Sequence, residues 1–125
     1  MNKGSAELIL VGWADKPRRE DLLKRICSDP LYNNRNFIFM GVSTREEFYV
    51  VLQDFVGSLS GVVIEECFYP SLQRQYEQLD GRPIVLLAED PDALEQARMD
   101  GYSRGILIGD SSEIDLAELM EPFIR

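Results

Sequence analysis

The sequence predicts one doubly wound α/β domain, and three observations carry that expectation. Five short apolar runs, at 8–11, 37–42, 62–64, 84–88 and 106–108, are continuous and do not alternate with polar residues. A continuous run is what a strand covered on both faces requires, the condition of a parallel sheet with helices above and below. Segments with helical spacing lie between the runs, and capping and turn residues stand at the joints.

The strands are expected near 7–12, 36–42, 61–66, 83–88 and 104–108. Leu22, Leu23, Ile26 and Cys27 make the first helical stripe, and Phe48, Val51, Leu52, Phe55 and Val56 the second and clearest. Leu72, Tyr76 and Leu79 make the third, and Leu116, Leu119, Met120, Phe123 and Ile124 the last. The fourth, with Ala93, Leu94, Ala97 and Met99, holds small residues that would sit lightly on a sheet or leave surface for a partner. Ser43-Thr44-Arg45-Glu46 has capping-box spacing, Asp90-Pro91 sets a cap before a first-turn proline, and Ser111 or Ser112 can cap the last helix. Gly81 and Gly101 stand where a left-handed residue commonly ends a helix. The result is five strand–helix units without an internal linker or repeat, a single (βα)5 domain over 1–125. Right-handed crossovers with helices on both faces give a flavodoxin-like sheet of order 2-1-3-4-5.

Composition narrows the function. With 22 acidic and 13 basic residues the net charge is −9, which repels phosphate backbones and anionic lipids. Neither nucleic-acid nor membrane binding is expected of this domain. No apolar leader precedes the first strand and no run is long enough to span a bilayer, which points to a cytoplasmic protein. Cys27 and Cys67 are too few for a disulfide scaffold and read as reduced, buried thiols. The absence of histidine removes His-based acid–base catalysis, the Ser-His and Cys-His nucleophile pairs and most zinc sites.

In such folds ligands and chemistry sit at the carboxyl ends of the strands. There the sequence places Gly12, Trp13, Ala14 and Asp15, then Glu65, Glu66, Cys67 and Phe68, then Glu89 and Asp90, then Gly109 and Asp110. The edge is acidic, and neither a dinucleotide fingerprint nor a P-loop occurs, so no cofactor is expected.

The segment Val62-Val63-Ile64-Glu65-Glu66-Cys67-Phe68-Tyr69-Pro70 resembles the third strand and following loop of response-regulator receiver domains, in which the phosphoacceptor aspartate stands four residues before a proline. Pro83-Ile84-Val85-Leu86-Leu87-Ala88 resembles their fourth strand, and 99–109 their glycine-containing turn into the fifth. The resemblance covers nearly the whole chain, and it implies a degenerate member. Gly12 and Trp13 occupy the places of the metal-holding acidic pair, Glu66 that of the acceptor aspartate, Ala88 that of the Ser or Thr, Gly105 that of the switch aromatic and Ile108 that of the lysine. Glu66 is one methylene longer than aspartate, which displaces its carboxylate from in-line transfer. Phosphoryl transfer rests on positioning and on charge neutralisation, and both are largely missing.

Competing readings stand beside each candidate. Glu66 reads as a permanent carboxylate at a switch position or as a solvated loop residue. Asp15, Glu65, Glu66, Glu89 and Asp90 read as a hard-cation site or, preferably, as a solvated acidic rim, since Asp15 is offset from the usual pair. Neighbouring carboxylates should raise the Cys67 pKa. Trp13, Phe68 and Tyr69 are contact anchors or a cover for the open end of the sheet. Arg18, Arg19, Lys24 and Arg25 read as a solvated helix face.

The leading expectation is a pseudo-receiver: a non-enzymatic, phosphorylation-independent signalling module that binds a protein partner or a second copy of itself. The resemblance points to the fourth helix, fifth strand and fifth helix as the contact face, with Ala93, Leu94, Ala97, Tyr102 and Ile106 as its candidates. The alternatives are an atypical receiver phosphorylated or metal-binding at Glu66, and a flavodoxin-like ligand- or cation-binding domain using the acidic edge.

Overall fold

The computed structural model describes residues 7–33, 36–55, 57–68, 82–100, 102, 104–108 and 114–124. The elements run β1 (Glu7–Gly12), α1 (Lys16–Ser28), β2 (Phe37–Val42), α2 (Arg45–Phe55), β3 (Leu59–Glu65), a 3-10 turn (Glu66–Phe68), β4 (Ile84–Ala88), α3 (Pro91–Met99), β5 (Arg104–Leu107), α4 (Leu116–Met120) and a further 3-10 turn (Glu121–Phe123). All strand pairs are parallel, and the sheet order is β2-β1-β3-β4-β5, the flavodoxin-like order that the apolar runs predict. The third stripe, Leu72 to Leu79, and Gly81, Gly101, Ser111 and Ser112 lie outside the described residues.

Period two along the strands divides the core between the faces of the sheet. Ile9, Val11, Val63, Val85, Leu87 and Ile106 pack with Leu22 and Ile26 of α1 and with Leu119, Met120 and Phe123. Leu10, Val62, Ile64, Ile84, Leu86 and Ala88 pack on the other face with Phe48 and Leu52 of α2 and Ala97 of α3. Every residue of β4 is buried, as a central strand of a doubly covered sheet requires. No helix among the described residues is long and apolar enough to cross a membrane.

Several joints differ from the expected ones. β3 starts at Leu59, before the expected 61, because an irregularity at Leu8/Ile9 lets the buried Leu59 pair with Leu8. The capping box is shifted by one residue: Glu47 N donates to Thr44 Oγ1 at 3.1 Å, while Glu47 Oε1 accepts from Ser43 N at 3.0 Å and Thr44 N at 3.3 Å. Asp90 caps α3 as expected, accepting from Asp92 N. The last helix starts later than a serine cap would set it, at Leu116, with Asp115 accepting from Ala117 N and Glu118 N. It gives way to the 3-10 turn that contains Pro122, which cannot continue the α-helical hydrogen bonding.

Candidate functional site at the carboxyl end of the sheet

Trp13 follows β1 directly and is only 2% exposed. Its N–H donates to the Val42 carbonyl at 3.1 Å, and the Arg18 guanidinium lies 5.1 Å from its ring centroid. Phe68 is fully buried and meets Phe48 with ring centroids 5.4 Å apart. These two rings wall in Gly12, since a Cβ there would stand 3.0 Å from Phe48 and 3.3 Å from Phe68. Trp13 and Phe68 are therefore a cover for the sheet end and not exposed contact anchors, while Tyr69 lies outside the described residues. A side chain at position 12 would press on both rings, which gives a steric reason for glycine there.

The acidic residues are spread among separate structural tasks. Asp15 is the N-cap of α1 and accepts from Arg18 N at 3.2 Å. Glu65 Oε1 accepts from Ala14 N at 2.9 Å, tying the end of β3 to the loop after β1. Glu66 Oε1 accepts from Glu89 N at 2.9 Å, tying the next residue to the loop after β4. The exposed Glu89 carboxylate lies 3.9 Å from Arg18 Nη1, and Asp90 caps α3. Consecutive carboxylates thus brace the central strand to the loops on either side. Among the described residues no three His, Cys, Asp or Glu side chains group as a metal cage.

Behind Glu66, Ala88 is buried at the end of β4, and its carbonyl accepts from the N–H of the buried Ile108 at 2.8 Å. The place of a side chain at Gly105 is taken by Leu94, whose Cδ2 would stand 2.8 Å from a Cβ there. Cys67 and Cys27 are exposed, contrary to the expectation of buried thiols. The Cys67 thiol is pushed up to about 11, first by desolvation and then by Glu65, whose carboxylate accepts its S–H and adds negative charge. The direction agrees with the expectation from sequence, and a reactive thiolate is disfavoured.

The basic opening of α1 is not a solvated face. Arg19 is 6% exposed, and its Nη1 donates to the Trp13 carbonyl at 3.0 Å and to Ser43 Oγ at 2.7 Å, linking the loops after β1 and β2. Its side chain crosses Gly41, where a Cβ would meet Arg19 Nε at 2.6 Å. Sequence reasoning missed this role, although a glycine inside an apolar strand is a sign of close approach by another group. Arg25 Nη2 donates to the Ile114 carbonyl at 3.0 Å, and only Lys24 of the four stays fully exposed.

Of the expected contact residues, Ala97, Tyr102 and Ile106 are buried in the core, and Ala93 and Leu94 are half-buried. They share a region but present little side-chain surface. Among the described residues of that region the exposed large apolar side chains are Met99, Leu107 and Ile124, and Arg104 pairs there with Glu118 and Glu121.

No protein-family model matches the sequence, and no curated protein matches it. Several solved chains are similar in fold, among them chains of two proteins described for pilus assembly. A protein described as pilus assembly-related from Burkholderia pseudomallei K96243 is 16% identical, with a TM-score of 0.60 over 86% of this chain and 81% of that one. A protein described as a CpaE2 pilus assembly protein from Sinorhizobium meliloti 1021 is 14% identical, with a TM-score of 0.57 over 80% of this chain and 86% of that one. At these identities the likeness is one of fold: this chain has the flavodoxin-like, receiver-like α/β architecture of those two proteins.

Proposed function

We propose that the chain is a receiver-like protein-interaction module that acts without phosphorylation and without a chemical step of its own, within an assembly of the kind that two of its structural neighbours are described for, pilus assembly. The observation that carries the reading is the hydrogen bond of Glu66 Oε1 to Glu89 N. One oxygen of the carboxylate at the acceptor position braces the loop after β4. Around it stand a walled-in glycine, a buried tryptophan and a buried alanine where metal ligands and a hydroxyl would be needed. A phosphoryl group there would load negative charge onto an edge already lined by Glu65, Glu66 and Glu89, without the acidic pair and the hydroxyl that receivers use to position it.

The contact face for a protein partner is the α3–β5–α4 region, through Met99, Leu107 and Ile124. Thermal melting with and without magnesium and beryllofluoride tests the reading, because a ligand that binds the folded state raises the melting temperature. No shift is expected. A rise of several degrees that is lost in Glu66→Gln would overturn it.

A further inference from the structure

The arginines of this acidic chain are not equally balanced. Arg98 is held by Glu95, and Arg104 by Glu118 and Glu121. Arg18 and Arg25, half-buried on α1, are less well matched. Arg18 reaches only the exposed Glu89 carboxylate, 3.9 Å from Nη1. Arg25 gives one nitrogen to the Ile114 carbonyl and forms no ion pair among the described residues. Arg18 Nε and Nη2 are closed off from water and have no hydrogen-bond partner among the described residues. Buried donors are almost always satisfied, so this pair asks for an explanation. Nε–H and Nη2–H are also the parallel donors along one edge of a guanidinium, the edge that grips a carboxylate through two bonds.

Both arginines line one pocket. Residues 18, 21, 22 and 25 fall at i, i+3, i+4 and i+7 on one face of α1, and with Trp13 and Ile114 they bound a volume of about 300 Å3. The apolar members are buried, Trp13 and Leu22 at 2% exposure and Ile114 at 3%. The charged members are Arg18, Asp21 and Arg25. Apolar walls with a few converging polar groups are the build of a small-molecule site, and this volume lies at the small end of such sites. Two arginines and one aspartate leave one positive charge, which a monoanion balances and a phosphate monoester exceeds.

We infer that this pocket binds a small organic monocarboxylate. The carboxylate takes two parallel hydrogen bonds from Arg18 Nε and Nη2 once the side chain turns that edge into the pocket, and Arg25 adds a second positive charge. The apolar body of the ligand lies against Leu22, Ile114 and the indole of Trp13. The net charge of −9 opposes any anion at long range, but physiological salt screens it beyond about 8 Å, whereas the two guanidiniums act in contact. The inference is independent of whether Glu66 accepts a phosphoryl group.

Trp13 is the one tryptophan of the chain, so its emission reports on the pocket. The test titrates the full chain at constant ionic strength with cyclohexanecarboxylate, cyclohexylammonium or inorganic phosphate while that emission is followed. Cyclohexanecarboxylate is expected to shift the emission along a saturating curve, and the other two probes to leave it flat. Arg18→Lys keeps the positive charge but loses the two-donor edge, and should weaken binding about tenfold. Arg25→Gln should weaken it about threefold, and Arg98→Gln on α3 should leave it unchanged. Melting curves establish that each variant is folded. A parent without a saturating response to cyclohexanecarboxylate would overturn the inference. Equal saturation by inorganic phosphate would overturn it in favour of a general anion site, and parental affinity in Arg18→Lys would overturn the role of the Arg18 edge.

Discussion

At the carboxyl end of the sheet Asp15, Glu65, Glu66 and Asp90 all accept hydrogen bonds from backbone N–H groups of their own chain, whereas on α1 the Nε and Nη2 donors of Arg18 have no acceptor among the described residues. The acidic end has the residue types of a reactive site, yet its carboxylates are internally committed. The start of α1 has the residue types of a solvated face, yet it keeps donors without acceptors. The contrast teaches that a site is defined by what its polar and apolar groups have left over after folding. A carboxylate with one oxygen on a backbone amide is held in place by that bond, and a ligand meets it as a positioned group and not a free one.

Four substitutions probe that contrast, in descending order of expected effect. Phe68→Ala removes the ring that closes the carboxyl end against Gly12 and Phe48, and should cost about 3–5 kcal/mol in urea denaturation. Arg19→Ala removes two hydrogen bonds from a buried guanidinium and should cost roughly 2–3 kcal/mol. Gly41→Ala should cost about 1–2 kcal/mol in the parent and much less in the Arg19→Ala background, because the atoms nearest its Cβ belong to the arginine. Additive costs would mean that Arg19 and Gly41 do not form one unit. Glu66→Ala should cost about 1 kcal/mol and speed amide exchange at Glu89, with exchange at Phe39 unchanged.

A smaller effect belongs to the start of α2. The amides of Ser43 and Thr44 hold the Glu47 carboxyl below its usual value of 4.5. A lowered pKa in the folded state stabilises it above pH 4.5, and that contribution is lost as pH falls through the lowered folded value. The α2 amides should therefore lose exchange protection below that pH, and Glu47→Gln should remove the pH dependence.

Strand order and the two-faced core were legible in the sequence because burial on both sides leaves continuous apolar runs, as at Ile84, Val85, Leu86, Leu87 and Ala88. The caps were legible to within a residue at Asp90 and Thr44, where the signal is local. The bracing of the acidic end was not, since Glu65 and Glu66 bond to amides 51 and 23 positions away and a backbone donor leaves no trace in side-chain identity. Arg19 was hidden for a related reason: within Arg18-Arg19-Glu20 it resembles any solvated charge, and only Gly41 in a distant strand marks its path. The contact face was legible as a region, but its buried members were named before its exposed ones, because Ala97 and Ile106 point into the core on opposite faces of the sheet.

Whether Glu66 is a structural brace or a phosphoacceptor is decided by the intact mass of the chain after incubation with magnesium and a small phosphodonor such as acetyl phosphate. A brace predicts an unmodified mass at every donor concentration. A phosphate adduct that forms in the parent and is absent in Glu66→Gln would contradict that role and make Glu66 an acceptor.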